Sequence, residues 1–188
     1  MRCRPLSASR RLLAVATTVA AALLASACTP ALNWREVRVD DGGLTLLFPC
    51  RPDRLSRALN VAGIPIQMEL LSCAADGLNF ALGHAVVPVA DAPALLAAMR
   101  AAQLRNVDGR EVAAAPARLA GTAGASAQRV SVEGQRGDER IAMRLLFAAH
   151  GSHLFQGSVV GPAAAFGAHA EAAATEYFDG LRVNAAPR

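Results

Sequence analysis

Residues able to do chemistry are few in this chain, and they are histidines and cysteines. His150 and His153 flank Gly151-Ser152. A two-residue hairpin there sets both imidazoles opposite each other on adjacent strands, at a range where they can share a metal ion. The competing reading is an exposed polar hairpin end. It is preferred, because no carboxylate or thiolate stands beside them in sequence to complete a ligand set. His84 falls in phase with Phe80 and Leu82 and reads as a hydrogen-bonded core residue rather than a ligand or base. His169 reads as solvated. Cys50 and Cys73 have no CxxC partners, which argues against a zinc site or a redox-active dithiol. Gly157-Ser158-Val159-Val160-Gly161 lacks the spacing of a nucleophile elbow. No phosphate-binding glycine loop occurs, and the absence of lysine excludes catalysis by a buried lysine. The carboxylate pairs Asp40-Asp41 and Asp138-Glu139 fall in turns, where solvation accounts for them. No acid/base dyad, metal or cofactor is expected, and the chain does not read as an enzyme.

The N-terminus carries a different kind of signal. Arg2, Arg4, Arg10 and Arg11 precede an apolar run from Leu12 to Leu24, and small residues Ala25-Ser26-Ala27 lead to Cys28. A positive flank, a short apolar core and a small-residue cleavage site form a secretory signal. With cysteine at the cut, the segment resembles a bacterial lipoprotein signal, although Ala25 stands three places before the cysteine where that motif usually carries Leu. The resemblance implies removal of residues 1–27 and acylation of Cys28. Thr29 after it, rather than Asp, favours the outer membrane by the same resemblance. Two further readings stay open: an uncleaved single-span anchor, and ordinary secretion with a free Cys28 thiol. The run from Leu12 to Ala27 is 16 residues, short of the ~20 that a spanning helix needs. In the oxidising compartment that a secretory signal reaches, Cys50 and Cys73 are expected to form a structural disulfide, stabilising by roughly 3 kcal/mol in the chain-entropy model.

Charge excludes one function class. All 19 basic residues are arginine, and four lie in the signal. Residues 28–188 keep 15 arginines against 15 carboxylates and are formally neutral. Nucleic-acid binding needs a surplus of positive charge to release counterions from phosphates, so it is not expected. Arg51, Arg54 and Arg57, near Arg35 and Arg38, read as a solvated strand face paired with Asp40, Asp41 and Asp53; an anion site is the rival. The 161 residues from Cys28 suffice for one domain, but alanine supplies much of the apolar content and buries little area per residue.

Apolar periodicity and turn residues place the elements. Strands are predicted over Leu44–Phe48, Leu55–Val61, Pro65–Ser72 and Leu78–Val87. Asp91, as N-cap, and Pro93 open a helix running to about Arg105, with Leu95, Leu96, Met99 and Ala102 facing the core. Asn106–Gly124 reads as a loop holding at most one weak strand. Strands follow over Ala127–Glu133, Arg140–Ala149 and Leu154–Val160. A last helix starts at Pro162 and stops at Gly180 before a terminal strand, Leu181–Val183.

This order predicts an α+β fold, an antiparallel sheet of about six to seven strands covered by two main helices, after an N-terminal signal helix. The order, the opening Gly43-Leu44-Thr45-Leu46-Leu47-Phe48-Pro49 and the closing Tyr177-Phe178-Asp179-Gly180-Leu181 resemble the PsbP-like α/β/α sandwich over residues 42–184. The segment Leu47–Asp53 with Cys73 is also similar to small uncharacterised proteobacterial envelope proteins. The expected organisation is a signal (1–27), an acylated cysteine and tether (28–41), one domain (42–184) and a tail (185–188). These resemblances imply a non-catalytic accessory or interaction module, held to the membrane through Cys28, facing the periplasm and contacting an envelope protein. Capture of a small ligand between sheet and helix is the alternative.

Overall fold

The computed structural model describes residues 31–39, 43–122 and 126–184. The signal segment, Cys28, Asp40, Asp41 and the tail lie outside the described residues. Among those described, no helix is long and apolar enough to cross a membrane.

Ten strands and two helices build the domain: β1 (Arg35–Val39), β2 (Leu44–Phe48), β3 (Asp53–Val61), β4 (Ile64–Ala75), β5 (Leu78–Val86), α1 (Ala92–Asn106), β6 (Arg110–Ala117), β7 (Ser126–Arg136), β8 (Glu139–His150), β9 (His153–Pro162), α2 (Ala168–Asp179) and β10 (Arg182–Val183). Seven of the strands form one sheet in the order β3-β4-β5-β9-β8-β7-β6, with every neighbouring pair antiparallel. Two meanders, β3-β4-β5 and β6-β7-β8-β9, meet at the β5–β9 seam, and α1 makes the crossover between them.

The α+β expectation holds, with three corrections. First, β2 and the terminal strand do not join the large sheet; with β1 they form a separate three-stranded sheet in the order β1-β2-β10. Second, β1 falls in the stretch read as tether, so the folded unit begins at Leu32 rather than at residue 42. Its apolar alternation is only Val37 and Val39 between charged residues, too short to read as a strand. Third, the loop of residues 106–124 holds a full edge strand, β6, bulged between Glu111 and Ala113. Its alanines carry little strand propensity, and pairing to β7 decides the outcome.

Both faces of the large sheet are apolar. On β8, Ile141, Met143, Leu145 and Phe147 point to one side, while Leu146 and Ala148 point to the other. Such a nearly continuous apolar run, interrupted only by Arg144, marks a strand buried on both faces. The first face packs against α1 through Ala92, Leu95 and Met99. Asp91 immediately precedes α1 as read from sequence, but its side chain makes no capping hydrogen bond, because a 3₁₀ turn over Val89–Asp91 already leads into the helix.

The second face is covered by α2 and the small sheet. Alanines 170, 173 and 174 bring α2 close, and Tyr177 and Phe178 insert below it. Gly157 on β9 makes room for Phe178: a Cβ there would lie 3.0 Å from the ring. Tyr177 stacks edge-on against Phe48 of the small sheet and Phe80 of the large one, at 5.3 and 5.5 Å between centroids. Trp34 closes the cluster edge-on against Phe80. Arg144 of β8 forks onto Glu171, and Arg129 of β7 donates to Asp179 at 2.6 Å, fastening both ends of α2 to the sheet.

The Cys50–Cys73 disulfide is formed, with the Cα atoms 6.0 Å apart. It joins the end of β2 to β4, and so couples the small sheet to the large one. Replacing both cysteines by serine should lower unfolding free energy by about 3 kcal/mol, the chain-entropy value for a loop of this size, read from urea midpoints under non-reducing conditions.

The Tyr177 hydroxyl is buried with no hydrogen-bond partner among the described residues, and burial pushes its phenol well above the ordinary value. Because an unpaired buried hydroxyl costs about 1–3 kcal/mol, Tyr177→Phe should leave thermal stability unchanged or raise it. A fall of several degrees would show that the hydroxyl does bond in solution.

Candidate functional site

Among the described residues, three larger hollows could bind something, and each is made by where the packing layers end. The first is a polar groove of about 470 Å³ on the α2 side of the sheet, at the margin of the small sheet. Register puts alternate residues of β3, β4 and β5 on this face, where Arg54, Ser56, Gln67, Glu69 and His84 line it. Their polar atoms are largely matched to one another. Arg54 donates to Glu69 at 3.1 Å and to the carbonyl of Arg38 in β1 at 2.6 Å, and the Gln67 amide donates to the Ser56 hydroxyl at 2.7 Å.

His84 is 3% exposed, and its ring lies nearly parallel to those of Phe155 and His153, with centroids 5.2 and 5.4 Å away. Its Nε2 is 3.1 Å from His153 Nδ1, so one ring's N–H donates to the other's lone pair. The core reading of His84 is therefore right. His150 and His153 do face each other across the Gly151-Ser152 turn. The ring contact of His153, however, is with His84 on the neighbouring strand, which sequence spacing could not reveal because β5 and β9 are 69 residues apart at that contact. Among the described residues, no three His, Cys, Asp or Glu side chains converge as a metal site. His169 lies far along the chain from this groove and pairs at 3.2 Å with Asp76.

The expected arginine face is also rearranged. Arg54 takes Glu69 rather than Asp53 as its partner, and Arg38 lies 3.5 Å from Glu36. Cross-strand register sets the first pairing, since Arg54 stands opposite Leu71 and so diagonal to Glu69 on the β3–β4 ladder, whereas Glu36 and Arg38 are two apart on one face of β1.

The second place is a cleft of about 460 Å³ where α1 overhangs β6, β7 and β8. Leu96, Ala101, Leu104 and Phe147 form its walls. At its mouth Arg100 donates from two nitrogens to both Glu111 oxygens, and from a third to Gln128 at 2.7 Å. This two-pronged hydrogen bonding holds the Glu111 carboxyl below, and the Arg100 guanidinium above, their ordinary values.

The third place lies on the opposite flank of α1, a half-open hollow of about 230 Å³ against β3, β4, β5 and β9. It is walled mainly by Leu59, Met68, Leu70 and Met99. Along the chain its only local sign is small residues at Ala81, Gly83 and Ala102.

With this geometry in hand, two solved structures are similar to the chain. Cyanobacterial PsbP from Synechocystis aligns over 84% of this chain and 95% of its own, at 8% identity and a TM-score of 0.51. A protein of unknown function from Pseudomonas aeruginosa aligns over 83% of this chain and 98% of its own, at 15% identity and a TM-score of 0.43. At 8% identity the likeness to the Synechocystis protein concerns the fold alone, which is PsbP-like. No family model matches the chain, and no curated protein matches it.

The lowered Glu111 carboxyl carries a sign. Its contribution to stability is complete above the ordinary carboxylate range and is lost as pH falls through the lowered value. The stability gap between the wild type and Glu111→Gln should therefore be widest near neutral pH and close in acid, measured by urea midpoints across the pH range. A gap that stays constant into acid would mean that the pair does not form.

Proposed function

We propose that this chain is a membrane-tethered accessory domain of the bacterial envelope, facing the periplasm and acting by contact with an envelope protein rather than by catalysis. One observation carries the reading: the Cys50–Cys73 disulfide joins the two sheets. A structural disulfide belongs to an oxidising compartment, and the N-terminal arginine-flanked apolar segment is the kind of signal that delivers a chain there. Cleavage before Cys28 and acylation of that cysteine supply the tether. Two or more acyl chains anchor stably, whereas one holds marginally. The absence of Asp after the cysteine favours the outer membrane.

The polar groove supports a contact role. Its arginine, glutamate, amide and hydroxyl groups bond to one another, which gives a preorganised recognition surface rather than a poised nucleophile. Val86 beside it is 57% exposed, an apolar spot that a partner could cover. The formally neutral charge of residues 28–188 weighs against nucleic acid as the partner. A second reading, capture of a small ligand between sheet and helix, is favoured by the hollow flanking α1.

Intact mass of the membrane-extracted protein tests the tether. The expected species begins at Cys28 and carries acyl chains; an intact Met1 terminus would replace the lipid with a single-span anchor. Crosslinking in intact envelopes should then recover one specific protein partner, and recovery of none would remove the contact role.

A further inference from the structure

We propose that the hollow flanking α1 is a binding site for a small uncharged molecule with a hydrocarbon body and one hydrogen-bonding head, a medium-chain alcohol or alkylphenol in chemical type. This deepens the ligand-capture reading and is independent of the lipid tether.

The hollow exists because small residues stand where the layers should touch. On the α1 face of the sheet, Ala81 and Gly83 of β5 lie below Ala102 of the helix. A Cβ on Gly83 would come 3.1 Å from the Met68 sulfur, so glycine keeps that floor open. Larger residues at these positions would close the gap. The resulting space is about 230 Å³. On the scale by which an apolar cavity of about 150 Å³ admits benzene, it takes a molecule of roughly nine non-hydrogen atoms.

The lining specifies the chemistry. Leu59, Val61, Met68, Leu70 and Met99 make an apolar wall, Gln103 of α1 adds an amide on the helix side, and no charged side chain contributes. The two methionines are flexible and polarisable, suited to fitting bodies of different shape. Register aligns Gln156 of β9 with Gly83, and Ser158 with Ala81. Small partners across the seam therefore leave the Gln156 amide and the Ser158 hydroxyl uncovered at one side of the hollow. Among the described residues neither side chain has a hydrogen-bond partner, although both are half-buried. An amide and a hydroxyl side by side can each donate and accept. They suit a neutral head, whereas an anionic head would be desolvated there without a cation to pair with it.

The full-length protein in lipid nanodiscs, labelled with ¹³C at its methionine methyls, provides the test. The probes are 1-octanol, 4-propylphenol, propylbenzene and nonanoate, with free concentrations referenced to empty nanodiscs. Octanol and propylphenol should shift the Met68 and Met99 methyls saturably and leave Met143, which is buried away from the hollow, in place. Propylbenzene should bind at the same methyls about tenfold more weakly than propylphenol, the difference made by one hydrogen bond. In a Gln156→Leu/Ser158→Ala variant, with Gln103→Leu added so that no polar side chain lines the hollow, that preference should vanish while propylbenzene still binds. Ala102→Phe should fill the hollow and abolish all the shifts; if that variant does not fold, the β9 and Gln103 substitutions still decide the matter. Nonanoate binding as tightly as octanol would overturn the neutral-head assignment and leave ligand capture standing. Shifts that never saturate, that include Met143 equally, or that no probe produces would overturn both.

Discussion

The large sheet is apolar on both faces, and this constraint organises the rest of the molecule. A sheet of this kind needs a layer on each side, because an exposed apolar face costs on the order of 25 cal/mol for every Å² left in water. One helix alone cannot cover the second face, which is why the N-terminal and C-terminal strands pair into a small sheet beside α2. Tyr177 sits where these pieces converge, touching Phe48 from the small sheet and Phe80 from the large one. The Cys50–Cys73 bridge ties the same two layers covalently. A chain whose helices are rich in alanine gains from such a tie, since each alanine contributes little buried area.

The candidate sites are the places where this covering stops. Along β5, Leu78, Phe80 and Leu82 lie under α2 and the small sheet, while His84 follows at the margin and Val86 is open to solvent. The change from leucine to histidine along one face is the change from core to groove. A buried imidazole is tolerated there because His153 supplies a hydrogen bond and Phe155 a ring to stack on. On the other face a single helix spans a seven-stranded sheet, so it leaves a space on each flank. One flank is polar at its mouth, bound by Arg100 and Glu111; the other is uncharged. Two clefts with unlike linings follow from one narrow helix on a wide sheet.

This arrangement fits a protein that holds or presents something. A rigid double-faced sheet with a disulfide gives surfaces that persist without their partners, and preorganised surfaces lose less entropy on binding. The PsbP-like fold adds no chemistry of its own, because a fold is a frame on which unrelated functions are placed. The function proposed above rests on the tether, the polar groove and the uncharged hollow, each with its own residues.

Much of the framework was legible along the chain. Alternation over Ile66, Met68 and Leu70, the turn at Gly151-Ser152 and the stop at Gly180 mark local structure, because strand and turn geometry depend on near neighbours. Leu44–Phe48 was placed to the residue, but not in its sheet. The pairing of Cys50 with Cys73 was legible too, from their number and from the oxidising compartment expected of the N-terminal segment. Tertiary structure alone decided the rest. Which sheet β2 joins, that β1 forms at all, and that Arg54 meets Glu69 depend on partners far along the chain. His84 meets His153 only because the β5–β9 seam brings together two meanders separated by a helix. The hollow is the extreme case, being a space rather than a residue: Gly83, Ala102 and Ser158 are unremarkable in sequence, and only their superposition across two layers leaves room.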